Sequence, residues 1–284
     1  MTAPVPRLDP YAAIARIAET TGVRLRYAGR CPGGEVGAAY VRWPDGTRSV
    51  LTSGRPASVA LIPVARAAGI PAPDYLLCVD DLVVQELLPG VPPATLDDDV
   101  LRQLLAVHDR FAGLLPDGSV PGAGRPLLDP SRPLELFLRR SGPGFCVHET
   151  LAAYDARTRA LLARVREAGE QRDVADGDDL VHIDFHPGNT LFDGGTLTGV
   201  VDWDGAGRGD HAFDLVTLRF DVALRNPALL PAVDERLAVL APDRLRAYWA
   251  HMSLRLVDWA IRHHGPDEVG FWLRTAADWP LDAA

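Results

Sequence analysis

The period of the apolar residues changes at Pro89-Gly90, beyond which only the short pieces Leu180–Ile183 and Gly199–Val201 read as strand, and that change limits the architectures open to the chain. Upstream, short apolar runs alternate with turn residues, the pattern of a small antiparallel sheet. Val23–Ala28 reads as a strand. Ala38–Trp43 and Arg48–Ser53 flank Pro44-Asp45-Gly46, and Tyr75–Val79 and Leu82–Leu87 flank Asp80-Asp81, so each pair reads as a hairpin. Helical spacing predicts a leading helix over Tyr11–Thr21 and another over Ser58–Ala68, the latter with Pro63 inside it. Downstream the spacing is helical over Leu96–Leu115, Leu134–Arg140 and Leu151–Gly169, and again from His211 onward with breaks at Pro227, Pro242 and Pro266. Asp97–Asp99 falls in a first turn, where acids cap a helix and complement its dipole. The expectation is an α+β chain: a sheet-rich N-terminal lobe over residues 1–87, a hinge near Gln85–Gly90, and a larger, mainly helical lobe over residues 88–284.

The formal net charge of −9 argues against nucleic acid as a partner, because phosphates want a basic face. The same charge would concentrate a cationic small molecule, or serve solubility alone. Cys31, Cys78 and Cys146 are far apart and form no Cys-x-x-Cys pair, so neither a disulfide framework nor a structural zinc site is expected. The stretch MTAPVPRLDPY has no basic flank ahead of an apolar core, and no apolar run reaches the ~18–20 residues of a membrane span. A cytoplasmic protein with no membrane partner is the expectation. The chain contains no lysine: all 29 residues counted as Lys or Arg are arginine. No mechanism here can use an amine side chain.

The stretch VHIDFHPGNTLFDGGTLTGVVDWD, Val181–Asp204, concentrates chemistry. His182, Asp184 and Asn189 share one loop, Gly194-Gly195 makes a tight turn, and the returning strand delivers Asp202. Phosphoryl transfer needs oxygen ligands for Mg²⁺ and a carboxylate that orients the acceptor hydroxyl and takes its proton. Asp184 suits the carboxylate role, and Asn189 and Asp202 the metal. His182 and His186 are read as residues that brace the loop. A zinc pair at that i, i+4 spacing is disfavoured, because Pro187-Gly188 follows and no helix carries them.

The spacing His-x-Asp, four residues, Asn, then a hairpin and Asp resembles the catalytic loop and metal-binding Asp of kinases. The form HIDFHPGN, then VVDWD, then GRGDHAFDL, is similar to the aminoglycoside phosphotransferase and choline kinase superfamily over residues 180–215. That resemblance implies a protein-kinase-like two-lobed fold, a magnesium-dependent transfer from ATP or GTP to a small-molecule hydroxyl, and loop-anchoring roles for Asp210 and Asp214. Ile183 stands where the family usually has glycine. The family's HPGN and DWD elements, and the lack of an Asp-Phe-Gly triplet, oppose a protein kinase.

The N-terminal lobe departs from the family. Its strand ends in Val-Leu-Lys and a following helix supplies a glutamate; here Thr52 takes the lysine position, and no acid occurs between Thr52 and Asp74. The two losses agree, since a glutamate without its cation would be a costly, partly buried charge. Three explanations stay open. An arginine replaces the lysine, with Arg48 on the same strand face as Thr52 and Arg55 and Arg30 nearby. Or the backbone of Gly33, Gly34 and Gly37 suffices with Mg²⁺. Or the protein is catalytically weak and binds and sequesters its small molecule, against which the intact Asp184, Asn189 and Asp202 argue. The glycines could also form only a hairpin turn. VQELLPG, Val84–Gly90, resembles the family's linker to the nucleotide base, with Glu86 and Leu87 the candidate contacts.

For the acceptor, the candidates are Asp204, Asp258 and Trp259, the last two on a predicted helix over Asp243–His264. Their alternatives are a solvated helix face for Asp258 and core packing for Trp259. The acidic balance favours a basic antibiotic such as an aminoglycoside or cationic peptide, and a hydroxylated metabolite that is not an antibiotic stays open.

Overall fold

The computed structural model describes residues 7–32, 37–54, 56–116, 120, 148–169 and 177–278. The expected helix Leu134–Arg140, and Gly33, Gly34 and Arg55, lie outside these residues.

Helix α1, Pro10–Thr21, starts where the Asp9 carboxylate accepts from the backbone N–H groups of Tyr11 and Ala12, and stops at Gly22, whose φ of 76° a glycine adopts without strain. Five strands follow: β1 Arg26–Arg30, β2 Ala39–Arg42, β3 Arg48–Ser53, β4 Tyr75–Val79 and β5 Leu82–Glu86. They form one antiparallel sheet in the order β1-β2-β3-β5-β4. Alternation sorts their side chains. Val41, Leu51, Val79, Leu82 and Val84 pack with Ala13 and Ile17 of α1. Register puts Val50, Thr52, Val83 and Gln85 on the opposite face. The first strand begins later than expected, at Arg26, because its partner β2 ends at Arg42, the residue that pairs with it.

The helix expected over Ser58–Ala68 is two, α2 Pro56–Val59 and α3 Ile62–Ala67. Pro63 lies in the first turn of α3, the one helical position where a missing N–H costs nothing. Downstream, α4 spans Asp98–His108, with the Asp97 carboxylate accepting from Val100 N–H and Asp98 and Asp99 in its first turn. It ends in a 3₁₀ turn at Asp109–Phe111, short of the expected Leu115. The helix expected over Leu151–Gly169 is α5 His148–Tyr154 and α6 Ala156–Gly169. Asp155 divides them: Asp155 Oδ1 accepts from Thr158 N–H, and Asp155 N–H donates to Thr158 Oγ1, so two orphan donors are satisfied reciprocally. The short strand β6 (Asp179–Val181) and the hairpin of β7 (Thr190–Asp193) and β8 (Thr196–Val200) precede β9 (Gly207–Gly209), which pairs with β6. Helices α7 Ala212–Arg225, α8 Leu230–Leu237, α9 Pro242–His263 and α10 Pro266–Ala277 complete the helical part. Their interior packs around Phe213, Phe220, Tyr248, Trp249 and Trp272.

The sheet and the helical part meet on the β7–β8 hairpin. Val91 and Phe192 exchange both backbone hydrogen bonds, at 3.1 and 2.8 Å, and Val200 N–H donates to Pro71 O at 2.8 Å. Gly90 lies so close that a β-carbon there would stand 2.6 Å from Phe192 O. Among the described residues no helix is long and apolar enough to cross a membrane.

Candidate active site

The loop between β6 and β7 is mounted on a buried carboxylate. Asp214, in the first turn of α7, has no exposed surface and accepts from the N–H groups of His182, at 2.7 Å, and Ile183, at 2.9 Å. Burial pushes its carboxyl up to about 7 against those two donors and the charge of His211. His182 is equally buried; burial takes its pKa down to about 4, so the neutral ring donates from Nε2 to Val201 O at 3.0 Å. Its ring meets the edge of Trp203 at 4.6 Å between centroids. The next residue, Ile183, has a φ of 74°, uncommon for a β-branched side chain.

Asp184 leaves that bend half-buried. Asn189 Nδ2 donates to its backbone O and to its Oδ2, both at 3.0 Å. Arg255 of α9 approaches the other oxygen: its NH2 lies 3.4 Å from Asp184 Oδ1 while NH1 donates to Ile183 O at 2.8 Å. Burial opposes the Asp184 charge, but His186 beside it and then Arg255 hold its carboxyl well below the usual carboxylate range. His186 sits between two acids, 3.7 Å from Asp184 Oδ2 through Nε2 and 3.7 Å from Asp221 Oδ1 through Nδ1, and Asp221 is paired with Arg225 at 2.7 Å. Gly188 N–H donates to His186 Nδ1 at 3.1 Å. A 3₁₀ turn over Pro187–Asn189 then presents Asn189, whose backbone O accepts from Val201 N–H at 2.9 Å. That bond sets Asn189 beside the segment carrying Asp202.

Asp202 also has a left-handed backbone, φ 68° and ψ 57°, and its side chain is exposed. Lost hydration, then the charge of Asp184, push its carboxyl above the ordinary carboxylate value. Among the described residues its carboxylate takes part in no hydrogen bond or ion pair. Asp210 is engaged throughout, accepting from Ala212 N–H at 3.0 Å and Tyr248 Oη at 2.6 Å and pairing with Arg244 at 3.0 Å. Asp179, Asp210 and His211 bring ligand atoms within 4.8 Å of one another, but Asp179 already accepts from Gly113 N–H and pairs with His211 Nδ1 at 2.6 Å.

On the sheet side, register puts Arg48 and Thr52 on one face, and the Arg48 guanidinium stacks 4.8 Å over the Tyr40 ring. Gly37 has a φ of 83°. Glu86 accepts from Arg66 of α3 at 2.9 Å and from Asp74 N–H at 3.1 Å. Leu87 is half-buried where sheet and helices join. The helix that would carry an acid in the family pattern therefore carries a cation, Arg66. Asp204 turns toward the sheet: its backbone O accepts from Ser58 Oγ at 3.3 Å, and a β-carbon on Gly54 would lie 3.4 Å from its Oδ1. Burial, then the charges of Asp204 and Asp202, push the Tyr75 hydroxyl well above its ordinary value. The structure thus brings Asp184, Asn189 and Asp202 together, with His182, His186, Asp210 and Asp214 behind them. It does not bring Asp258 to them as a surface acid. Asp258 is fully buried and bound to Arg262 at 2.6 Å, because the face of α9 that carries it packs inward. Trp259 is partly exposed and lies tilted against His263, 4.2 Å between ring centroids. Sequence reasoning missed Arg255, Asp221 and Arg225, which carry no local signal of their contact with a loop far away in the chain.

The sequence profile of the phosphotransferase enzyme family matches residues 37–250, more than half the chain. The chain belongs to that family. No curated protein matches the sequence of this phosphotransferase. Among solved structures, a thermostable mutant of aminoglycoside phosphotransferase APH(4)-Ia, in a ternary complex with ADP and hygromycin B, is 19% identical with a TM-score of 0.62, over 96% of this chain and 99% of that one. Macrolide 2'-phosphotransferase MphH from Brachybacterium faecium is 20% identical with a TM-score of 0.52, over 96% and 98%. Amicoumacin kinase hAmiN, in complex with AMP-PNP, Ca²⁺ and Ami, is 16% identical with a TM-score of 0.57, over 96% and 94%. The phosphotransferase shares the kinase-like α+β fold of these proteins, a small antiparallel sheet joined to a larger helical part.

Proposed function

We propose that this phosphotransferase moves the terminal phosphoryl group of a magnesium-bound ATP or GTP to a hydroxyl of an antibiotic-like small molecule, with Asp184 as the base. The observation that carries the reading is the junction of Asp184 and Asn189, 3.0 Å apart, with Asp202 on the neighbouring strand end. Asp184 stays ionised, so it is a weak base suited to orienting a hydroxyl and accepting its proton late. A loose phosphoryl-transfer transition state asks for no more. His182, His186, Asp210 and Asp214 serve this function by bracing the loop.

The donor set fits a hard divalent cation. Asn189 commits its amide nitrogen to Asp184, leaving its amide oxygen, and Asp202 adds a carboxylate near a second negative charge. Mg²⁺ held by these residues would neutralise phosphate charge and orient the phosphoryl group. In place of the lysine, Arg48, four residues before Thr52 on the same strand face, takes the phosphates, with Gly33, Gly34 and Gly37 covering them. The linker backbone at Glu86 and Leu87 meets the base. Residues 1–87 then act as the nucleotide-binding lobe and residues 88–284 as the catalytic and substrate-binding lobe, in a cytoplasmic protein.

For the acceptor we propose a hydroxylated molecule bearing positive charge, as aminoglycosides and basic peptides do. The net charge of −9 and the aminoglycoside named with one structural neighbour support it. Of the three residues expected at the acceptor, Asp258 is withdrawn by Arg262 and Asp204 turns to the sheet, which leaves Trp259. The test is incubation with Mg²⁺, ATP or GTP and a panel of hydroxylated antibiotics, followed by mass spectrometry. One drug gaining a phosphoryl group, and none gaining it with Asp184→Ala, is the expected result. A drug that stabilises the fold without gaining mass would replace transfer with sequestration, the reading Thr52 favours.

A further inference from the structure

Asp184 follows a residue whose two backbone polar groups are gripped from different helices. The N–H of Ile183 is held by Asp214 of α7 at 2.9 Å, and its C=O by Arg255 of α9 at 2.8 Å. Between them the Ile183 backbone keeps a φ of 74°, a conformation that persists in a β-branched residue only where its surroundings over-determine it. The carboxylate beyond it is divided in the same way. Asn189 holds Oδ2 at 3.0 Å and Arg255 lies 3.4 Å from Oδ1. One guanidinium thus reaches both the peptide that aims Asp184 and the carboxylate itself. Its side chain is only 13% exposed, so the geometry is packed rather than fluctuating in solvent.

We propose that Arg255 is a positioning residue for phosphoryl transfer: it locks the left-handed Ile183 peptide and fixes the Asp184 oxygen that Asn189 does not hold. The inference rests on the reading of Asp184 as the base. It follows from the shape of the side chain. A guanidinium is a planar fork whose two terminal nitrogens can serve two acceptors at once in a fixed relation. An ammonium is a point charge on a flexible stem and cannot reproduce that relation. Without the fork, the Ile183 carbonyl loses its partner, the bend relaxes toward an ordinary backbone, and the Asp184 carboxylate swings about its bond to Asn189. A misplacement of about 1 Å at a reacting group costs about 10²-fold in rate.

The test compares full-length Arg255→Ala and Arg255→Lys with wild type. Turnover of Mg-ATP is measured with water and with the drug that gains mass in the panel as acceptors, and amide exchange is followed over residues 180–192. In both variants kcat should fall about 10²-fold while the KM for ATP stays within about threefold, and the amides near Ile183 should exchange faster. Added guanidinium should restore part of the kcat of Arg255→Ala and leave wild type unchanged. Wild-type kcat in Arg255→Lys overturns the proposal, as does a loss in Arg255→Ala that tracks global unfolding and resists guanidinium. If wild type itself turns over no ATP, the phosphotransfer reading fails separately. Amide exchange then decides for Arg255, and an unchanged rate near Ile183 in Arg255→Lys sinks the proposal.

Discussion

The side chain of Ile183 occupies the space that a β-carbon on Gly205 would need: built ideally, that atom would lie 2.1 Å from Ile183 Cγ2. The larger side chain, where the family usually has glycine, is accommodated by a glycine in the turn after Asp202. Gly205→Ala should therefore destabilise the fold by about 1–3 kcal/mol through overpacking. Combining it with Ile183→Gly should recover part of that loss, because the clash disappears and glycine accepts the positive φ. Urea unfolding of both single variants and the double variant reads the coupling; strict additivity would show that the two residues do not share this space.

Asp184→Ala should lower turnover by roughly 10²–10⁴-fold, the usual range for a lost general base. Asp202→Ala should instead raise the Mg²⁺ concentration needed for half-maximal nucleotide consumption by about tenfold or more, since loss of even an outer partner of a metal costs that much. Initial rates across a Mg²⁺ titration separate the two. An unchanged Mg²⁺ requirement in Asp202→Ala would remove that residue from the metal site.

Arg48 and Thr52 share the sheet face opposite α1, but only Arg48 carries charge. Arg48→Ala should raise the KM for nucleotide by about tenfold, the equivalent of one charge-assisted contact of about 1.4 kcal/mol, and Thr52→Ala by less than about twofold. Equal, small effects would shift phosphate binding to the glycine loop.

Asp179 and His211 form a pH-dependent brace behind the loop. Burial works against both charges, but their mutual hydrogen bond lowers Asp179 below its ordinary 3.8 and raises His211 above its ordinary 6.5. The Asp179 contribution is present above 3.8 and fades as pH falls through its depressed value. The His211 contribution is present below 6.5 and fades as pH rises through its raised value. His211→Gln should thus lose about 1–2 kcal/mol relative to wild type near about pH 5, and the gap should narrow near about pH 9. Denaturant unfolding at the two pH values measures it, and a gap that does not change with pH would exclude the ionised pair.

What the sequence determined by itself is local. The cap at Asp9, the turn at Gly22, the first-turn acids at Asp97–Asp99 and the alternation of β3 and β5 depend on neighbours a few residues apart. The motif at Asp184, Asn189 and Asp202 was legible for the same reason, since one loop and one hairpin carry it. The sequence left two other matters open. Pro63 reads as a flaw inside one helix until the chain is seen to begin a second helix there. Periodicity likewise states which residues share a face of α9 and not which face meets the core. Only packing decided that Asp258 is buried against Arg262 while Arg255, three residues earlier, reaches across to Asp184. Such contacts depend on how distant elements exclude water together, and no short stretch of sequence contains that information.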